Sequence, residues 1–418
     1  MHVEIVTIGD ELLLGETIDS NAAWLARELG AIGIIVVRRT TVGDNAADIT
    51  AAVRDALDRT GGVITTGGLG PTADDRTRPA IAAVFGRELR HDAAIWEGLR
   101  AIWRERGRSG EPPASNRQQA LVPDGATVLT NRYGTAPGLL LEDDRGRWVA
   151  MLPGVPREMR GLMSDELLPK LRARIGVDRR VIRSLLLRTT GIAESLLPDL
   201  LGEYADGFER VTLAYLPGQE GVDLRLTVRD MSPDDADRAL SEAASALRPR
   251  LGRHRYADGP VDLAEVVISS CQAAGKFVAV AESCTGGMLA SRLTSVSGSS
   301  KAFVGGVIAY DNAVKIDRLG VDAGLIARVG AVSEEVARAM AAGVRHALRS
   351  QIGVGITGVA GPDGGTEDKP VGLVWIAVDL DGELVVHGGR FSGDRGEIRF
   401  RATQAALNMI RRGLAGAD

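Results

Sequence analysis

An α/β fold is expected: two three-layer α/β domains joined by a small α+β (KH-like) module. Three observations predict it. Short apolar runs that read as buried strands alternate with segments whose apolar residues recur at helical spacing, an order that gives a parallel sheet with helices on its faces. Several of those strands end abruptly in glycine-rich or polar turns. The chain has 418 residues, too many for one ordinary core, so two or three domains are the prior expectation.

The first region, residues 1–171, opens with the strand Val3–Ile8, and further strands are expected at Ile34–Arg39 and Gly62–Thr66. Helices are expected at Asn21–Glu28, Ala46–Asp58 and Thr77–Phe85. Ligands in such sheets belong at the carboxyl ends of the strands. After the first strand comes Gly9-Asp10-Glu11. After the third comes Thr66-Gly67-Gly68-Leu69-Gly70-Pro71-Thr72, followed by Asp74 and Asp75. Glycines let backbone amides approach a phosphate closely. Asp74 and Asp75 either carry a divalent ion that bridges phosphate oxygens or cap the helix that follows. Farther on, Gly134-Thr135-Ala136-Pro137-Gly138 precedes Leu152-Pro153-Gly154-Val155-Pro156. Pro156 suits a first helical turn, and Glu158 is either a capping charge or a site residue.

These motifs, with Asn21, resemble the molybdopterin-binding-like (MoaB/Mog-like) domain of the CinA family, the competence/damage-inducible proteins. The resemblance implies a nucleotide site on this rim. Some family members hydrolyse ADP-ribose there, so it also implies a divalent metal (Mg, Mn or Co) held by Asp74, Asp75 and Glu158, with K a further candidate ion.

The next region, residues 172–252, is expected to hold strands at Val181–Leu187, Val211–Leu216 and Val222–Val228. The last two form a hairpin about Pro217–Gly221. Helices are expected at Ile192–Leu201 and Pro233–Leu247, and Arg253–Pro260 reads as a linker. The family has a KH-like domain here. No Gly-x-x-Gly loop lies between helices and no basic face is visible, so RNA binding is not expected and a spacer role is.

In the last region, residues 261–418, the helix Leu263–Ala273 leads into an apolar strand, Phe277–Ala281, and then Glu282-Ser283-Cys284-Thr285-Gly286-Gly287. Helical spacing resumes at Met288, Leu289 and Leu293. Ser283 therefore sits on a strand-to-helix turn, as a helix N-cap or as a nucleophile near amides that can hold an oxyanion. A second strand, Phe303–Ala309, ends in Tyr310-Asp311-Asn312-Ala313-Val314-Lys315. After the helix Ser333–Leu348, a third strand, Ile352–Ile356, ends in Thr357-Gly358, with Gly361, Gly364 and Gly365 in the loop beyond. Leu373–Asp379 and Glu383–Arg390 read as a hairpin, and Glu397–Arg412 as a closing helix. No histidine lies at a predicted strand end. Lys315 is thus either the base for Ser283, if its setting lowers its pKa, or a surface helix residue; Tyr310 is a proton relay or a strand-end anchor.

The stretch 263–414 is similar to the CinA C-terminal domain, the family of nicotinamide mononucleotide amidohydrolases. The resemblance rests on Ala281–Gly287, Tyr310-x-Asn312-x-x-Lys315 and Gly358–Gly365 with Lys369–Gly372. It implies catalysis by Ser283, Tyr310 and Lys315 without a cofactor. Amides about Thr285, Gly286 and Gly287 would serve as the oxyanion hole, and Asn312, Thr357, Gly358, Gly361, Gly364 and Gly365 would contact substrate. Cys284 is a rival nucleophile by position. Nicotinamide mononucleotide and ADP-ribose are the implied small-molecule partners, and family members of this layout imply a homodimer. The alternatives are a non-catalytic nucleotide-binding protein linked to competence or DNA damage, and a pterin-handling enzyme.

Composition narrows these classes. A net charge of −5 disfavours broad nucleic-acid binding. Two cysteines and five histidines show no metal-ligand spacing. No apolar run is long enough to cross a membrane, the chain starts directly with a strand, and a cytoplasmic enzyme is expected.

Overall fold

The computed structural model describes residues 1–175 and 180–416. The chain folds as two compact units, Met1–Arg183 with Val228–Arg238, and Ser184–Thr227 with Ala239–Asp418.

The first unit is built on a six-stranded sheet of order β2-β1-β3-β8-β7-β6. The strands are β1 (His2–Ile8), β2 (Ile35–Val42), β3 (Gly62–Thr66), β6 (Thr127–Leu129), β7 (Gly138–Glu142) and β8 (Trp148–Leu152); β4 (Leu89–His91) and β5 (Leu121–Pro123) pair apart as a ribbon. β1 is parallel to β2 and β3, and β3 to β8. β7 is antiparallel to both β6 and β8, so the sheet is mixed where a parallel one was expected. The reason is connection length: the short turn after Glu142 permits only a hairpin, whereas a parallel neighbour needs a long crossover.

The side-chain alternation of β1 builds both faces. Val3 and Ile5 point to a core with Leu25, Leu29, Met159 and Leu162. Those residues come from α2 (Ser20–Ala31) and α6 (Pro156–Leu162), which α7 (Leu168–Ile175) extends. Val6 and Ile8 point to the other core, with Ile49, Val53 and Ile81 of α3 (Ala46–Thr60) and α4 (Thr77–Val84). α1 (Asp10–Leu13) and α5 (Ala93–Glu105) complete the unit.

A four-stranded sheet of order β10-β11-β9-β12 follows, from β9 (Val181–Thr189), β10 (Thr212–Pro217), β11 (Val222–Met231) and β12 (Arg255–Asp258). The expected hairpin is β10–β11. Two readings change. The stretch expected as a linker contains β12, which pairs antiparallel with β9. The helix expected at Ile192–Leu201 is only α8 (Leu197–Leu201), because Pro198 fits a helix solely in its first turn. α9 spans Pro233–Leu251.

The C-terminal sheet has the order β14-β13-β15-β16-β17. Its strands are β13 (Val278–Glu282), β14 (Phe303–Ile308), β15 (Ile352–Gly358), β16 (Leu373–Leu380) and β17 (Glu383–Arg390). β13 is parallel to β14 and β15, and the β16–β17 hairpin adds antiparallel. The carboxyl ends of three parallel strands therefore lie side by side. α10 (Leu263–Ala274), α11 (Met288–Thr294) and α15 (Arg395–Leu414) cover one face, while α12 (Asn312–Leu319) and α14 (Glu334–Ala347) cover the other, with α13 (Ala323–Val329) beside them. α14 lies directly on β15: a Cβ at Gly355 would collide with the Ala337 carbonyl. Among the described residues no helix is long and apolar enough to cross a membrane.

Candidate functional site

Ser283 stands where those three strand ends meet. Its N–H donates to the Ile356 carbonyl at 2.9 Å, and the Ala309 N–H donates to the Glu282 carbonyl at 2.8 Å. The side chain is 9% exposed. Ser283 is not a helix cap. α11 starts only at Met288, after a turn in which Gly286 and Gly287 take φ of 58° and 92°, conformations that favour glycine.

The positive end of α11 belongs to Glu282. Its buried carboxylate accepts from the N–H groups of Gly287 (3.0 Å), Leu289 (3.1 Å) and Ala290 (2.8 Å). This corrects the expected oxyanion hole. The Gly287 amide is committed to Glu282, and the Gly286 amide donates to the Ser283 carbonyl at 3.1 Å. Of the three amides expected there, only that of Thr285 has no acceptor among the described residues. The Thr285 hydroxyl is likewise buried without a partner. Glu282 was legible as part of the motif, but its role was not, because a side chain folding forward onto the next helix leaves no periodic signal.

Lys315 lies on α12, which Asp311 caps by accepting from Ala313 N at 2.8 Å. It is not a surface residue: it is 1% exposed, makes no ion pair among the described residues, and donates from Nζ to the Tyr310 carbonyl at 3.2 Å. Burial pushes its amine below the ordinary lysine value, against the opposing pull of Asp311 and Cys284. Cys284 is 6% exposed, and burial pushes its thiol up to about 12. Burial thus keeps the thiol protonated at neutral pH, which weakens its case as nucleophile.

Tyr310 is 62% exposed, and its hydroxyl oxygen accepts from Arg395 Nη2 at 3.2 Å. Arg395 Nη1 donates to the Gly361 carbonyl at 2.6 Å. One turn on, Arg399 donates to the Thr285 carbonyl at 3.2 and 2.7 Å. The start of α15 thus ties the Ser283 turn, the Tyr310 strand end and the Gly361 loop together. Sequence reasoning missed both arginines; the available signal was their spacing of four beside an Asp394–Glu397 capping box.

The other expected contacts divide. Asn312 is exposed as the first residue of α12. The buried Thr357 hydroxyl is committed to the Ala331 carbonyl at 2.8 Å, and Gly358 ends β15 opposite Val374. A Cβ at Gly361 or Gly365 would stand 2.6 or 2.9 Å from Val371, so these glycines answer to packing. Gly364, with φ of 84°, faces open space.

At the centre of the N-terminal rim the structure brings Asn21, Thr66 and Gly154 together. Asn21 Nδ2 donates to the Gly154 carbonyl (2.7 Å) and to Thr66 Oγ1 (3.3 Å), and Thr66 donates on to the Pro153 carbonyl at 2.9 Å. Gly67 must lack a side chain, since a Cβ would meet the Ile8 carbonyl; at Gly68 it would meet Thr77. Gly9 opens α1, whose Asp10 exchanges backbone-to-carboxylate bonds with Asp44 at 3.1 and 3.2 Å. Burial, together with Asp10, Glu11 and Asp74, raises the Asp44 carboxyl above its ordinary value. Pro71 is half-buried in the glycine loop, and Thr135 accepts from Gln119 at 3.4 Å. Pro137 is buried, and Gly138 begins β7 where a Cβ would crowd Leu129.

The expected metal set is not brought together. Asp75 closes its own loop, accepting from Gly70 N (2.6 Å), Thr72 N (2.8 Å) and Thr72 Oγ1 (2.6 Å). Glu158 accepts from Asn131 at 2.6 Å, and Asp74 is exposed. Among the described residues no group of three or more His, Cys, Asp or Glu is placed to hold a metal ion. Behind the loop lies a residue the sequence did not flag. Arg78 is 2% exposed and donates from Nη2 to the Leu69 carbonyl at 2.8 Å, while its buried Nε has no acceptor. Burial lowers it to about 10, although Asp75 pulls it upward.

Three family models match successive stretches of the chain. Residues 4–173 match the model of the probable molybdopterin binding domain, 184–257 that of the damage-inducible protein CinA KH domain, and 261–414 that of the CinA C-terminal domain. A CinA-like protein of Gemmatimonas aurantiaca is 58% identical over 416 residues, covering 99% of this chain and 97% of its own. A putative competence-damage inducible protein of Moorella thermoacetica is 42% identical over 414 residues, covering 99% of each. Among solved structures, a competence/damage inducible protein from Agrobacterium tumefaciens is 39% identical, covering 37% of this chain and 93% of that one, with a TM-score of 0.36.

Proposed function

The chain belongs to the CinA family, and from that premise we propose that its C-terminal domain hydrolyses the carboxamide of nicotinamide mononucleotide. Ser283 Oγ attacks the amide carbon, and the neutral Lys315 amine takes the hydroxyl proton. The oxyanion faces the Thr285 N–H, which has no acceptor among the described residues. Lys315 returns the proton to the departing nitrogen, and ammonia leaves an acyl-serine. Water then attacks the ester carbon, giving nicotinic acid mononucleotide and regenerating Ser283. Tyr310, with Arg395 donating to its oxygen, borders the entrance. Arg395 and the open loop at Gly364 meet the ribose phosphate.

The observation that carries this reading is a buried lysine, without an ion-pair partner among the described residues, anchored to the end of the strand next to Ser283. The test is ammonia release by the full chain and by two variants. Cys284→Ala should retain activity and Ser283→Ala should lose it; the reverse outcome rejects the serine. A protein that nucleotide stabilises without any ammonia release is a binder instead.

For the N-terminal domain, the buried Arg78 cation behind the Gly67–Thr72 loop, whose Nε has no acceptor among the described residues, supports a second reading, a site for the pyrophosphate of ADP-ribose. The carboxylates do not fit a resident metal cage, so no step is assigned to a metal. AMP release from ADP-ribose, followed with and without Mg²⁺, Mn²⁺ or Co²⁺, tests this site.

A further inference from the structure

A cavity of about 890 Å³ lies within the second unit, away from Ser283, Tyr310 and Lys315. Its volume falls in the range of small-molecule sites, roughly 300–1,000 Å³. One wall is the Thr190–Glu194 turn and the β10–β11 connection; the other is the β16–β17 hairpin and the middle of α15. The seam is built by specific bonds. Gln404 donates to the Glu220 carbonyl at 3.0 Å and to Thr190 Oγ1 at 3.4 Å, and Arg411 donates to the Arg253 carbonyl at 2.6 Å.

The lining is amphipathic. Val222, Val385, Phe391 and Met409 supply apolar surface, and the His387 and Phe391 rings meet edge to face at 6.4 Å between centroids. The charges are unequal in their freedom. Glu220 is neutralised by Arg188, and the carboxylates of Glu194 and Glu383 are on exposed residues where solvent screens them. Arg401 donates from Nη1 to Ser392 Oγ at 3.2 Å and makes no ion pair among the described residues; its buried Nε has no acceptor. A buried guanidinium N–H without an acceptor is costly unless something else supplies one.

We propose that this cavity is a binding site for a small ring-bearing organic anion, its ring against Phe391 and Met409 and its carboxylate or sulfonate on Arg401. The proposal is independent of the amidase reading. α15 carries both Arg401 here and Arg395 and Arg399 at the Ser283 turn, so the two sites share one rigid element.

The test uses the full chain and the fluorescence of anilinonaphthalene sulfonate, with benzoate and benzamide as competitors. One saturable site per chain is expected, with benzoate displacing the dye and benzamide at least tenfold less effective. Arg401→Met should weaken dye binding at least tenfold. Ala405→Trp, filling the cavity from α15, should abolish it, and Val385→Trp should do so from the opposite wall if the first variant misfolds. Dye affinity unchanged in both filled variants overturns the location. Equal displacement by benzamide and benzoate overturns the anion. Only weak, multiple dye sites overturn the proposal altogether.

Discussion

Replacing Glu282 by Gln tests the support of the Ser283 turn. The wild-type carboxylate receives three N–H groups, from Gly287, Leu289 and Ala290. Hydrogen bonds to a charged group are each worth about 1.5–3 kcal/mol. Glutamine keeps one acceptor oxygen and turns an NH₂ toward at least one of those N–H donors. One charge-assisted bond is lost outright and the other two weaken to neutral strength, so about 3–5 kcal/mol of local stability should go. A chain of two units does not give one global unfolding free energy. The assay is therefore hydrogen exchange at Leu289 and Ala290, where 2 kcal/mol corresponds to roughly 30-fold faster exchange. Under the proposed reaction, kcat should fall at least tenfold with KM within about threefold, because Glu282 orients Ser283 and meets no substrate. Unchanged exchange together with kcat within twofold of wild type would refute the reasoning.

Other perturbations separate the remaining contributions. Burial lowers the Lys315 amine, so its neutral, base-competent fraction grows with pH, and log kcat/KM should rise with unit slope to a plateau reached below the ordinary value of 10.5. Between the folded value and 10.5 the unfolded chain binds more protons at Lys315, so stability also rises with pH across that window; Lys315→Met should flatten the rise in a denaturation series. Arg395→Gln removes the donor to Tyr310 and Gly361, and KM for nicotinamide mononucleotide should increase at least fivefold in steady-state assays. Gly67→Ala forces a Cβ onto the Ile8 carbonyl at a φ of 111°. It should destabilise the first unit by about 2–4 kcal/mol, read as faster hydrogen exchange at the β1 and β3 amides, while leaving ammonia release within twofold.

What the sequence disclosed follows the range of the forces involved. Phe277–Ala281 read as a strand because burial on both faces leaves an unbroken apolar run, Val3–Ile8 because its β-branched residues keep that character around Glu4 and Thr7, and the glycine turns read as ligand-facing because few other residues fit their backbone. β12 did not read, since a four-residue edge strand carrying Arg255 and Asp258 looks like any polar connection. Asp75 was open between metal ligand and cap, and the structure shows a third role: its carboxylate is spent on Gly70 and Thr72 inside its own loop, and the helix that follows has no side-chain cap. Arg395 and Arg399 reach residues more than 80 positions away. Arg78 was indistinguishable from a surface arginine of an amphipathic helix. Nothing in a linear pattern encodes contacts of that kind.

The same desolvation acts in opposite directions on Cys284 and Lys315. Burial favours whichever form is neutral. For the Cys284 thiol that means protonation, with its ionisation pushed up to about 12, and a protonated thiol is a poor nucleophile. For the Lys315 amine it means deprotonation, and a neutral amine is a competent base. A serine does not need to ionise beforehand; it needs a base at the moment of attack. A dry junction of three strand ends therefore suits a serine–lysine pair and disfavours a cysteine in the neighbouring position. Wetting the junction, as by Ala281→Ser on the strand that leads into it, should move both groups back toward their ordinary values and slow the proposed reaction by protonating Lys315, with the Ser283 hydroxyl itself unaltered.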